Sequence, residues 1–192
     1  NDKEKKYTGL IQGKAFLDHH FTRDTMLKEL DEKNYPLVHI SSHFKFSPGD
    51  ERKNFLLLGD GNILTLREIS KIGNLFNNVK LLVLSACQTG VGGNGEEIDG
   101  FGELAQRSGA RSVVASLWSV NDKSTKDLMV VFYRILKEGK VTGKIEALRQ
   151  AQLELAGLED LLQKDRSQKV RQKSKYSHPY YWGPFIMMGN WR

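Results

Sequence analysis

Leu81-Leu-Val-Leu-Ser-Ala-Cys-Gln-Thr-Gly90 opens with four apolar residues, passes two small ones and ends in a thiol and a turn. Lys80 to Ser85 reads as a strand buried on both faces. An unbroken apolar run, rather than an alternating one, is what a parallel sheet covered by helices requires. Cys87, the only cysteine among 192 residues, stands where that strand runs out.

The same pattern recurs on either side. Leu37-Val-His-Ile40 reads as a buried strand leading into Ser41-Ser42-His43, and Ser112 to Trp118 as another. Helices separate them. Thr22 caps a helix to Lys33 with Met26, Leu27 and Leu30 on one face, and Pro36 ends it. Phe55 to Leu58, Gly59-Asp-Gly61 and Ile63-Leu64 form a small hairpin. Thr65 and Glu68 have capping-box spacing, so a helix runs from there to about Phe76. Phe101 to Ser108 is a short helix. Asn121 or Asp122 caps a strong one with Leu128, Val131, Phe132, Ile135 and Leu136 on one stripe, stopped by Gly139. Lys144 to about Gln163 is the last, with Ile145, Leu148, Leu155 and Leu162 inward. Thr8 to Phe16 and Tyr180 to Asn190 read as strands at the two ends. Strands alternating with helices make this an α/β domain with a mostly parallel central sheet flanked by helices.

Composition sets outer bounds. Apolar content of 39% and charged content of 27% describe an ordinary globular chain. Its length suffices for one domain with a full core. No apolar run approaches the roughly 20 residues of a membrane span, and no signal peptide is visible. A single cysteine forms no intrachain disulfide, so a reducing, cytoplasmic setting is expected. The abrupt, charged start NDKEKK suggests a piece of a longer protein. The formal charge of +6 is concentrated between Lys164 and Lys175, where six cations face only Asp165. That segment reads as a basic mobile loop. With no aromatic residue in it, stacking on single-stranded nucleic acid has no platform, and direct nucleic-acid binding is not expected.

Two strands thus lead into reactive side chains, His43 after LVHI and Cys87 after LLVLS. Ligands and reacting groups gather beyond the carboxyl ends of parallel strands. If the two strands are neighbours, an imidazole beside the thiol favours the thiolate, and the imidazolium can protonate a leaving group. Backbone N–H groups at the turn could hold an oxyanion. From spacing alone, Cys87 reads equally as a small core residue and His43 as a hydrogen-bonded strand-end residue. His39, four residues from His43, would share its face of a continuous strand. The spacing of His39, His43 and Cys87 matches no common zinc pattern, so no metal is assigned. The glycine-rich stretch GVGGNGEEIDG (90–100) lacks the features of a phosphate loop, and its acids would repel phosphate; it reads as a flexible active-site loop.

LSACQTG together with VHISSHF resembles the CHAT domains, a branch of the caspase-like cysteine peptidases. The likeness continues through FLLLGDGNILTLREI, GEEIDGFGELAQRSGARSVVASLWSVND, ALRQAQLEL and HPYYWGPFIMMGNW. It implies a caspase-hemoglobinase fold over residues 1–192 as a single domain. It also implies peptide-bond hydrolysis of a protein substrate by a dyad of Cys87 as nucleophile and His43 as general acid/base, with no cofactor. Relatives are often fused to helical repeats of the TPR type, which regulate them, so such repeats are expected partners in the same chain or complex. Backbone N–H groups of Phe44 and Cys87 are the implied oxyanion donors, although caspases carry glycine where Phe44 stands. Ser85, two residues before the cysteine, lies where those relatives place an S1 residue. With Trp118 and Asp122 it makes the expected substrate-binding set. Asp122 either faces a basic P1 side chain or caps the helix that follows. A silent interaction module that keeps the fold without the chemistry is the alternative reading.

Overall fold

The computed structural model describes residues 5–8, 10–45, 53–85, 87–88, 96–118, 121–158 and 174–192. Its contacts divide the chain into two compact units. The first holds residues 1–7, 14–119 and 186–190, and the second 8–13, 120–185 and 191–192.

The first unit is built on β3 (Leu37–Ile40), β7 (Leu81–Leu84), β9 (Ser112–Ser116) and β10 (Phe185–Gly189), in the order β10-β9-β7-β3. β7 pairs in parallel with both β3 and β9. All four residues of β7 are buried, as an unbroken apolar run demands of a central strand. The expected α/β architecture with a mostly parallel central sheet is therefore the one found. A second sheet, in the order β6-β5-β4-β8, contains β4 (His43–Lys45), β5 (Phe55–Leu57), β6 (Ile63–Thr65) and β8 (Cys87–Gln88). β5 and β6 are the expected hairpin, antiparallel with Leu56 opposite Leu64. The strands β1 (Lys5–Thr8) and β2 (Gln12–Ala15) pair with each other. The single strand expected over Thr8 to Phe16 is thus broken, because the chain bends at Leu10 and Ile11.

Three helices pack in this unit: α1 (Arg23–Glu32), α2 (Leu66–Ile72) and α3 (Glu96–Arg107). Met26 and Leu30 of α1, Leu66 and Ile69 of α2, and Ala105 of α3 join Ile40, Leu82, Leu84, Val113 and Ala115 of the central sheet in one apolar core. Thr22 caps α1 by accepting from the Thr25 N–H. α2 carries the capping box read from its sequence, with Thr65 and Glu68 each accepting from the other's backbone N–H. It stops at Ile72 rather than Phe76, because Gly73 takes a φ of 60° that ends the helix. Phe76 is nonetheless fully buried, its N–H donating to the Ser108 carbonyl.

α3 corrects the loop reading over 96–100, because the helix begins at Glu96; residues 90–95 of that stretch lie outside the described residues. Gly102 lies inside the helix, with the end of the Met188 side chain of β10 against it. A Cβ there would stand 2.1 Å from Met188 Cε.

The second unit centres on α4 (Asp122–Glu138) and α5 (Lys144–Ala156), which pack against each other. Leu128, Met129, Phe132 and Ile135 of α4 and Ala147, Leu148, Ala151 and Leu155 of α5 are buried. Gly139 ends α4 in the left-handed conformation, as expected. α5 is shorter than its sequence suggested, because Gly157 adopts a left-handed φ of 73° and closes it. Ile145, expected inward, is exposed in the first turn. Leu162 lies outside the described residues, as does all of the basic segment but Ser174 and Lys175. Lys175 stands 3.6 Å from Asp127 and over the Tyr176 ring. Pro179–Tyr181 forms a short 3-10 helix, so the last strand starts only at Phe185. Among the described residues, no helix is long and apolar enough to cross a membrane.

Candidate active site

The central sheet brings the two motif-bearing strands together. Leu37 pairs with Leu81, and the register continues to Ile40 and Leu84. The same two segments pair again in parallel as β4 and β8 of the second sheet. There His43 is the register partner of Cys87, and Phe44 of Gln88. The offset between partners is 44 residues in both pairings. Register partners on neighbouring strands lie about 4.8 Å apart and share one face of their sheet. His43 itself is exposed. The sequence places this pair at the carboxyl edge of one sheet; in the structure each residue opens a strand of a second sheet. Tertiary pairing creates those two- and three-residue strands, which carry too little periodicity to be read locally.

His39 departs from its expected place. A continuous strand would put it on the face of His43, but β3 ends at Ile40 and β4 begins at His43, so the alternation is interrupted. Its Nε2 instead lies 2.9 Å from Ser85 Oγ. Desolvation by the surrounding protein lowers the His39 pKa to about 4. His39 is nonetheless exposed by area, so the desolvation acts on a ring that still meets solvent, and its direction favours the neutral form. Sequence reasoning missed this contact. It was legible in principle, because aligning LVHI with LLVL sets His39 against Val83, and Ser85 is the next residue of that strand on the same face.

Ser85 is buried, and its N–H donates to the Ile40 carbonyl at 2.9 Å. On the other flank of β7, Leu84 pairs with Ala115. One step further along those two chains stand Ser85 and Ser116, with Trp118 two residues beyond and exposed. Ser85 and Trp118 thus follow neighbouring strands of the same unit.

Asp122 belongs to the second unit, and it does not cap its helix. The N-cap of α4 is Asn121, whose side chain accepts from the N–H groups of Lys123 and Ser124 at 3.0 and 3.3 Å. Asp122 is the first helical residue and is exposed. Asparagine and aspartate are near-equal caps; the chain enters the helix one residue earlier than the capping of Asp122 would need.

β4 is an inner strand, flanked by β5 and β8. The Phe44 N–H therefore points at a neighbouring strand. β8 is the last strand of its sheet order, with no further strand beside it among the described residues. Among the described residues, no three His, Cys, Asp or Glu side chains gather as a metal site.

A parallel α/β sheet feeding a histidine and a cysteine into adjacent register positions has the form of a caspase-like cysteine peptidase domain. The model of the CHAT domain matches residues 4–190, nearly the whole chain, and the chain belongs to that caspase-like family. No curated protein matches it.

Proposed function

We propose that this domain is a cysteine endopeptidase that cleaves a protein partner, with Cys87 as nucleophile and His43 as general acid/base. The observation that carries the reading is the pairing of His43 with Cys87 in register. The neighbouring imidazole takes the thiol proton, and the thiolate adds to the scissile carbonyl. The imidazolium then protonates the departing amine, leaving a thioester on Cys87. Water, deprotonated by the same imidazole, hydrolyses that thioester and regenerates the thiol. The Cys87 N–H serves as oxyanion donor in this reading, on β8, the last strand of its sheet among the described residues; the Phe44 N–H faces a neighbouring strand. Ser85 and Trp118 line the P1 subsite in this reading. The exposed Asp122 carboxylate is not spent on capping its helix. A reducing, cytoplasmic setting keeps the thiolate usable, and TPR-type repeats in the same chain or complex would supply regulation.

The test is a proteome digest with wild type, Cys87→Ala and His43→Ala, followed by N-terminal sequencing of the products. New amino termini are expected with wild type alone, after a shared P1 class. A folded wild type that yields none, even when combined with its neighbouring domains, identifies a silent interaction module instead. Efficient cleavage after aspartate refutes the P1 assignment.

A further inference from the structure

His39 and Ser85 stand at the end of the first pairing of the two segments, just before the second brings in His43 and Cys87. The offset of 44 residues is the same in both pairings, so whatever sets the register in the first also sets it at the reactive pair. At the end of that first pairing the backbone contributes the Ser85 N–H to Ile40 carbonyl bond, 2.9 Å long. The side chains of described residues contribute a further tie between the two chains, His39 Nε2 to Ser85 Oγ at 2.9 Å. Beyond it, Ser42 Oγ donates to the Leu57 carbonyl at 2.6 Å and anchors the histidine chain to the hairpin. A one-residue slip of a strand moves every side chain to the opposite face. For strands as short as β4 and β8, backbone pairing alone gives little resistance to such a slip.

We propose that His39 is a positioning residue: through its bond to Ser85 it locks the two chains in register and so holds His43 beside Cys87. The two histidines of the HISSH segment then have separate tasks, one fixing geometry and one transferring protons. This inference rests on the peptidase reading of the pair, but it can be read without a substrate.

Cys87 is the only cysteine, so the rate of iodoacetamide alkylation against pH reports on it alone. His39→Ala and Ser85→Ala are each expected to slow alkylation at pH 6.5 by about tenfold. That is the effect of a thiol pKa moving about one unit back toward the free value of ~8.5. The double variant should be no slower than the slower single one, because both remove the same bond. Ser85→Thr and His39→Gln, which can restore a hydrogen bond, should recover part of the rate. Circular dichroism checks that each variant folds; where His39→Ala does not, the Ser85 variants carry the test. Singles that lower the melting temperature yet leave the alkylation profile at wild type overturn the proposal, as does a double variant whose effects multiply. A wild-type profile that His43→Ala leaves unchanged removes the dyad, and this proposal with it. A perturbed wild-type profile sensitive to His43 but not to His39 removes only the lock.

Discussion

Removing the Asn121 side chain separates two roles that its neighbour Asp122 leaves entangled in the sequence. Asn121 Oδ1 accepts from two backbone N–H groups at the start of α4, donors that have no carbonyl partner inside the helix. Asn121→Ala should therefore cost about 1 kcal/mol, within the range of about 0.5–2 seen for caps. For a chain of this size that is a fall of roughly 2–4 °C in melting temperature. Asp122→Ala removes only an exposed charge in the first turn, worth about 0.3–1 kcal/mol at low salt. Salt distinguishes the two, since screening acts on the dipole interaction and hardly on a short hydrogen bond. Urea titrations followed by circular dichroism, at low salt and at high salt, should show a constant Asn121→Ala penalty and a shrinking Asp122→Ala penalty. Asn121→Asp should be close to neutral. If Asp122→Ala costs more than Asn121→Ala at high salt, Asp122 is the cap after all.

Two further outcomes test the framework around the site. Ser112 is fully buried, and its hydroxyl lies 2.7 Å from the Lys80 carbonyl and 2.8 Å from that of Asn190, so it ties the start of β7 to the end of β10. Ser112→Ala leaves buried acceptors short of a donor and should cost about 1–3 kcal/mol in urea unfolding; a change within error would mean that water replaces the hydroxyl. Hydrogen bonds from the Thr65 hydroxyl and the Thr65 N–H hold the Glu68 carboxyl below its ordinary pKa. Its stabilising contribution is therefore present above that ordinary value and is lost as pH falls through the lower folded one. Glu68→Ala should be less stable than wild type at pH 7, with the gap narrowing below about pH 4. A gap independent of pH would show that the capping box acts through packing alone.

What the sequence determined by itself was whatever is written in neighbouring residues. The apolar run of Leu81 to Leu84 was enough to declare a buried parallel strand, since burial on both faces is a composition that no other element of that length requires. Thr65 with Glu68, and Gly139 after its apolar stripe, marked helix ends, because caps act within four residues. Cys87 and His43 were legible as candidates because each follows such a strand, and the motifs around them resembled those of the CHAT family. Other outcomes depended on a partner distant in the chain. The stretch 90–100 looked like a loop, yet α3 begins at Glu96, and at Gly102 the end of the Met188 side chain, 86 residues away, fills the space a Cβ would take. The strands β4 and β8 form through pairing with segments distant in the chain, β4 with β5 and β8, and β8 with β4. Whether His43 stands beside Cys87, and whether His39 turns to Ser85, were decided by a register shared between segments 44 residues apart. A strand's own residues specify which of its faces is apolar. They carry no information on which residue of another strand lies opposite, because that is chosen by the packing of both strands into one core.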